Sequence, residues 1–160
     1  MVKLAQYRPD FYGAQAVTHE AMRGPSAWSV ADRELMAAVI ARTNESAWCT
    51  TAHSAVAARA YRDRAKVDAV LADLETAPIE APLRATLRML RMLAKTQTVD
   101  ADDMRAVLAA GVSSEQVKDA LSVAFAFNIT ARLAEAFDFA MAEPAAFDSG
   151  AKYLLARGYR

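Results

Sequence analysis

No stretch of this sequence sustains the strict apolar–polar alternation of a half-buried strand, and only five glycines and five prolines interrupt its 160 residues. Between those breaks Ala, Leu, Arg and Glu dominate, residues that favour the helix. Such a chain buries its apolar side chains by packing helices on one another, so the expected fold class is all-α. A length of 160 residues suffices for one core without staples. No linker composition and no long internal repeat divides the chain, and residues 1–160 read as a single domain.

The breaks and caps place the helices. "GPSAWSVADREL" runs from a loop into a helix, with Ser29 as N-cap and Asp32 as an acid in the first turn. A break at "NES" follows, and Ser46 caps a helix over roughly 47 to 61. A third helix covers "AKVDAVLADLE" and ends at the prolines of "TAPIEAP". From Pro82 an amphipathic helix carries Leu83, Leu87, Leu90, Met92 and Leu93 on one side and Arg84, Arg88, Arg91 and Lys95 on the other. That basic stripe suits an anion or nucleic acid, but reads rather as a solvated or intersubunit face, because the chain is neutral overall and Asp100, Asp102 and Asp103 follow directly. A short helix closes at Gly111, and a long one is expected from Ser113 or Ser114 through Met141. Its middle, Ala120 to Phe127, is apolar all round and reads as the buried central helix. "KYLLARGYR" reads as a last turn docking on the body or on a neighbouring subunit.

Lys plus Arg and Asp plus Glu number 19 each, which argues against a nucleic-acid binder relying on phosphate neutralisation. The composition is 54 % hydrophobic, much of it Ala, which points to a homo-oligomer hiding apolar faces. One cysteine excludes an internal disulfide and suits a reducing compartment. The opening residues lack a signal-peptide apolar run, and the uncharged stretch at 120–131 is too short to span a bilayer. A cytoplasmic protein without a membrane segment is expected.

The chemistry concentrates in "NESAWCTTAH". Cys49 falls in the first turn of its helix, where the dipole favours a thiolate. His53 lies four residues on, on the same face. Glu34, on the preceding antiparallel helix, is placed to orient the imidazole. Thiol, base and helix N-terminus together make an activated nucleophile. Against this, a lone cysteine in an Ala-rich helix is more often a small core residue and a lone histidine a structural one, while Glu34 also suits an N-terminal-turn acid and Glu45 is a competing acid nearer in sequence. No further ligands accompany Cys49 and His53 to complete a metal shell.

"GPSAWSVADRELMAAVIARTNESAWCTTAHSAVA" resembles the core of the carboxymuconolactone decarboxylase superfamily, in particular the AhpD-like alkylhydroperoxidases and their peroxidase-related branch. Their pattern is a glutamate, eleven residues, then Cys-x-x-Cys-x-x-x-His. Glu34, Cys49 and His53 match it, and Ser46 stands where the first cysteine belongs. Phe127, Asn128, Arg132 and Leu133 match the second half, with Ala131 replacing an asparagine. The resemblance covers roughly 10 to 157. It implies an AhpD-like helical bundle with the motif on a helical hairpin, and assembly as a dimer, trimer or hexamer.

It also implies a thiol-dependent hydroperoxide reductase without a cofactor. Cys49 is then the peroxidatic thiol, His53 its base and Glu34 the relay acid. Ser46 cannot resolve a sulfenic acid as a disulfide, so an external thiol or dithiol must reduce Cys49. Ser46 is instead expected to cap the helix through the N–H of Cys49 and to hold down the thiol pKa. Trp48 walls the pocket. Two alternatives stand beside this one. In a decarboxylase-like lyase, His53 and Glu34 act on a small carboxylated substrate held by Arg42 or Arg132. In a non-catalytic oligomer, the redox site has degenerated.

Overall fold

The computed structural model describes residues 11–159. Eight helices occur among these residues, and no strand: α1 (Phe11–Arg23), α2 (Val30–Thr43), α3 (Ala47–Tyr61), α4 (Arg64–Ala72), α5 (Ala81–Thr96), α6 (Ala101–Ala109), α7 (Ser114–Ala136) and α8 (Pro144–Arg157). The all-α expectation holds.

Three helices start at reciprocal capping boxes, in which side chain and backbone three residues apart satisfy each other. They are Ser29 with Asp32 at α2, Asp100 with Asp103 at α6, and Ser113 with Gln116 at α7. The α2 box is tied to the body by the Tyr61 hydroxyl, which bonds Asp32. Each start is encoded within four residues, which is why it was readable locally.

The centre of the molecule is α2, not α7. Every residue from Arg33 to Ala41 is buried, and α2 packs against α3, α7, α5 and α1. The run "LMAAVIA" is apolar on all sides, and Ala allows close approach of neighbours from each. In α7, by contrast, Phe125 is 60 % exposed and Ile129 is 41 % exposed, while Phe127 between them is fully buried. Apolar composition all round did not make α7 central, because its outer face has no covering helix among the described residues.

Two helices end earlier than expected. The third predicted helix stops at Ala72, where Asp73 turns the chain by accepting bonds from Glu75 N and Thr76 Oγ1. The long helix α7 stops at Ala136, and Asp138 takes a positive φ of 46°. Of the basic stripe, Arg84 points inward. It donates to the carbonyls of Leu74, Glu75, Ala77 and Ile79 and straps down the loop before α5. Arg88 and Arg91 pair with Glu75 at the half-exposed surface. The stripe serves loop and surface contacts within the chain.

No helix of the described residues is long and apolar enough to cross a membrane. A surface groove of about 650 Å³ lies beside α1 and α7, lined by Val17, Pro25, Leu121 and Phe125 among others. It contains none of Glu34, Ser46, Cys49 or His53.

Candidate active site

The α2–α3 hairpin sets the register of the site. Its turn is closed by Glu45 N to Arg42 O and Ser46 N to Ala41 O, with Glu45 at a positive φ of 58°. Asn44 reaches Asn128 of α7 at 3.0 Å and ties the turn to that helix. Two antiparallel helices leaving this turn bring Glu34 and His53 level, and His53 Nδ1 lies 2.8 Å from Glu34 Oε2.

Glu34 is fully buried, and a buried carboxylate must be matched by donors. It has three. Arg23 Nη2 donates at 2.6 Å, His53 Nδ1 at 2.8 Å, and the Tyr159 hydroxyl at 2.9 and 3.1 Å to the two oxygens. Burial alone raises the Glu34 pKa. The hydrogen bond and charge of His53, with the charge of Arg23, outweigh it and hold the carboxyl below its ordinary value. Glu34 is therefore an anion, an acceptor only. His53 must then carry a proton on Nδ1, and in the neutral imidazole Nε2 is the nitrogen left to accept one. Phe127 fixes the ring from the side, edge-on with centroids 4.4 Å apart.

Tyr159 lies 3.2 Å from His53 Nδ1 as well. Its pKa is pushed well up by burial first and by the Glu34 charge second, so it remains a neutral donor. Arg23 also holds the Leu154 carbonyl at the end of α8 and lies over the Tyr159 ring. Neither Arg23 nor Tyr159 was singled out from the sequence. No spacing signals a contact across 125 residues. The only hint was the expected docking of "KYLLARGYR".

Cys49 sits apart from this network. It is the third residue of α3, as the sequence suggested, but it is 1 % exposed in a small cluster with Ala41, Ala131 and Ala134. Trp48 and Phe139 pack on the cluster, edge to face at 5.5 Å. The expected low thiol pKa is not found. Burial raises it, Ser46 nearby offsets part of the rise, and the charge of Glu135 adds to it. Desolvation of a thiolate thus exceeds what the Ser46 hydroxyl supplies. No hydrogen bond joins Cys49 to His53 among the described residues.

Ser46 occupies the N-cap position, yet its side chain makes no capping bond. With ψ at 97° its hydroxyl is buried and has no hydrogen-bond partner. Its proximity to the thiol lowers the Cys49 pKa without forming a bond of good geometry. The carbonyl of Ser46, rather than its hydroxyl, anchors the helix by accepting from Thr50 N and Thr50 Oγ1. Arg42 and Arg132, the expected substrate clamps, are exposed, and the bonds of Glu34 run instead to Arg23, His53 and Tyr159. Among the described residues no group of three His, Cys, Asp or Glu side chains is arranged to hold a metal ion.

The sequence model of the carboxymuconolactone decarboxylase family matches residues 9–92, a span containing Glu34, Ser46, Cys49 and His53. The chain belongs to that family. Two solved structures share its fold, each at 23 % identity and a TM-score of 0.74. One is an uncharacterized peroxidase-related protein from Silicibacter sp., for which the match covers 80 % of this chain and 68 % of the other. The second is described as an alkylhydroperoxidase AhpD core, an uncharacterized peroxidase-related protein from Ralstonia eutropha, with 83 % and 71 % covered. No curated protein matches the sequence. The carboxymuconolactone decarboxylase fold thus agrees with the AhpD-like resemblance drawn from the motif residues.

Proposed function

We propose that this protein is a thiol-dependent hydroperoxide reductase in which Cys49 reacts and His53 is its base. One observation carries the reading. The bond between His53 Nδ1 and Glu34 Oε2 leaves Nε2 as an acceptor on the helical face that carries Cys49 one turn earlier. Because the thiol is buried and its pKa is raised, it rests protonated. His53 must take its proton as the substrate arrives.

In the step itself, the Cys49 sulfur attacks the distal oxygen of ROOH and the O–O bond breaks. The sulfur is oxidised by two electrons and keeps the OH as a sulfenic acid. The alkoxide takes the proton held by His53 and leaves as ROH. One external thiol then displaces water to give a mixed disulfide, and a second thiol releases Cys49 and leaves as the oxidised disulfide. A dithiol supplies both. The half-buried Trp48 and Phe139 form the wall that an incoming hydroperoxide passes, which favours an organic one. A soluble intracellular homo-oligomer is the setting this reading expects.

The test is Cys49 oxidation by hydrogen peroxide and by an organic hydroperoxide, followed by intact mass and a sulfenic-acid trap. A trapped adduct whose formation slows by about a hundredfold in His53→Ala supports the reading. Oxidation indifferent to His53 sinks it.

A second reading draws on the separation of Cys49 from the Glu34 network. A carboxymuconolactone-decarboxylase-like lyase would use His53 and Glu34 for proton transfer and leave the thiol idle. Turnover of a small carboxylated lactone that survives Cys49→Ala would select it.

A further inference from the structure

The segment after α8 enters the site by a route that only glycine permits. Gly158 ends α8 with φ 69° and ψ −153°, a conformation that L side chains rarely adopt. A Cβ there would lie 2.6 Å from His19 Cε1 and 2.7 Å from His19 Nδ1. The same imidazole accepts the Tyr159 backbone N–H at 3.2 Å. The chain therefore passes against α1 at one point and turns the Tyr159 ring inward.

From the phenol geometry we infer that Tyr159 is a positioning residue for the Glu34–His53 pair, delivered by the Gly158 turn and held by Arg23. Three facts carry it. The hydroxyl bonds both oxygens of Glu34, and so bridges the oxygen held by Arg23 and the oxygen held by His53. It approaches the very nitrogen through which His53 is oriented. Its ring lies nearly parallel to the imidazole, 19° apart with centroids 6.1 Å apart, and is the second aromatic neighbour of His53 beside Phe127. Arg23 spans both parts, donating to Glu34 and to Leu154 O. Without Tyr159, Glu34 keeps Arg23 on one oxygen and His53 on the other but loses the donor that bridges the two, and the His53 Nδ1–H loses a polar neighbour 3.2 Å away.

The catalytic sense of this role rests on the reading of His53 as base, but its test does not. In protein with 15N-labelled histidine, the tautomer and solvent exchange of the His53 Nδ1–H are read by NMR. Wild type is expected to show the Nδ1–H form with slow exchange. Tyr159→Phe, which removes one oxygen and keeps the ring, is expected to retain the helical circular dichroism. Its Nδ1–H exchange should quicken by about tenfold, the effect of one lost hydrogen bond of ordinary net strength. Gly158→Ala keeps the phenol but displaces it, and should give the same signature. Unchanged shifts and exchange in both variants would overturn the positioning role, whatever the thiol does. A response of the imidazole in a protein whose Cys49 never forms a sulfenic acid would remove the peroxidase reading and keep Tyr159 in its role.

Discussion

His53 Nδ1 stands 2.8 Å from Glu34 Oε2, on a carboxylate that no solvent reaches and that Arg23 and Tyr159 complete. An ion buried this way is held by its partners rather than by water. Glu34→Gln should therefore destabilise the protein by about 3 kcal/mol, since it leaves the Arg23 charge short of its counter-ion. Urea denaturation of the two proteins at neutral pH measures the difference.

The same carboxylate gives the fold an acid limit. Its folded pKa is held below the ordinary value, mainly by the hydrogen bond and charge of His53 working against burial. Stability from a depressed carboxyl is fully present above the unfolded pKa, about 4.3, and is lost as pH falls toward the lower folded value. The stability gap between wild type and Glu34→Gln should hold at pH 7 and shrink below about pH 4.3. A gap constant to pH 3 would contradict the linkage.

For Cys49 the expectation is slowness at rest. Its thiol is pushed up by burial, with Ser46 opposing and Glu135 adding. Alkylation by iodoacetamide at pH 7 should be slower than that of a free cysteine, and its rise with pH should come above the usual thiol range of about 8.5. Rates from pH 6 to 10 settle this, and a midpoint below 8 would restore the activated thiolate that the sequence alone suggested.

Ser46→Ala separates a cap from a buried orphan. A working N-cap serine costs about 1 kcal/mol on replacement by Ala. Here the hydroxyl has no partner, and removing an unsatisfied buried donor relieves desolvation. Ser46→Ala should be neutral, or more stable by up to about 1 kcal/mol, in thermal or denaturant unfolding.

Arg84→Ala should be the costly change in the basic stripe. It strips donors from four carbonyls of the loop before α5, for a loss of about 2 kcal/mol. The same change at Arg88 or Arg91, in half-exposed pairs with Glu75, should stay within about 0.5 kcal/mol. Parallel melting curves compare them.

What was legible in the sequence was what the chain encodes locally. Ser29 and Asp32, or Ser113 with its first turn, fix a helix start by bonds within four residues. The meeting of Glu34 and His53 was legible too, because a three-residue turn between two helices fixes their register. The surroundings of Cys49 were not, since Ala131 and Ala134 reach it from α7 and decide its desolvation. Ser46 misled because its residue type suits a cap, while its hydroxyl lies buried and unbonded. Arg23 and Tyr159 are joined to Glu34 only through tertiary packing, with no periodicity to announce it. The misplaced centre has a similar origin: an all-round apolar run describes both α2 and the middle of α7, and only the packing of neighbours tells them apart.

The donors to Glu34 come from residues 23, 53 and 159, which leave the ribosome in that order. Most of the core that buries the carboxylate belongs to helices ending by Ala136, all synthesised before Tyr159 exists. A nascent chain that closed over Glu34 early would lock away an anion short of one donor. Sealing of the site is thus coupled to the arrival of α8 and the residues just after it, and a carboxylate made early is finished only then.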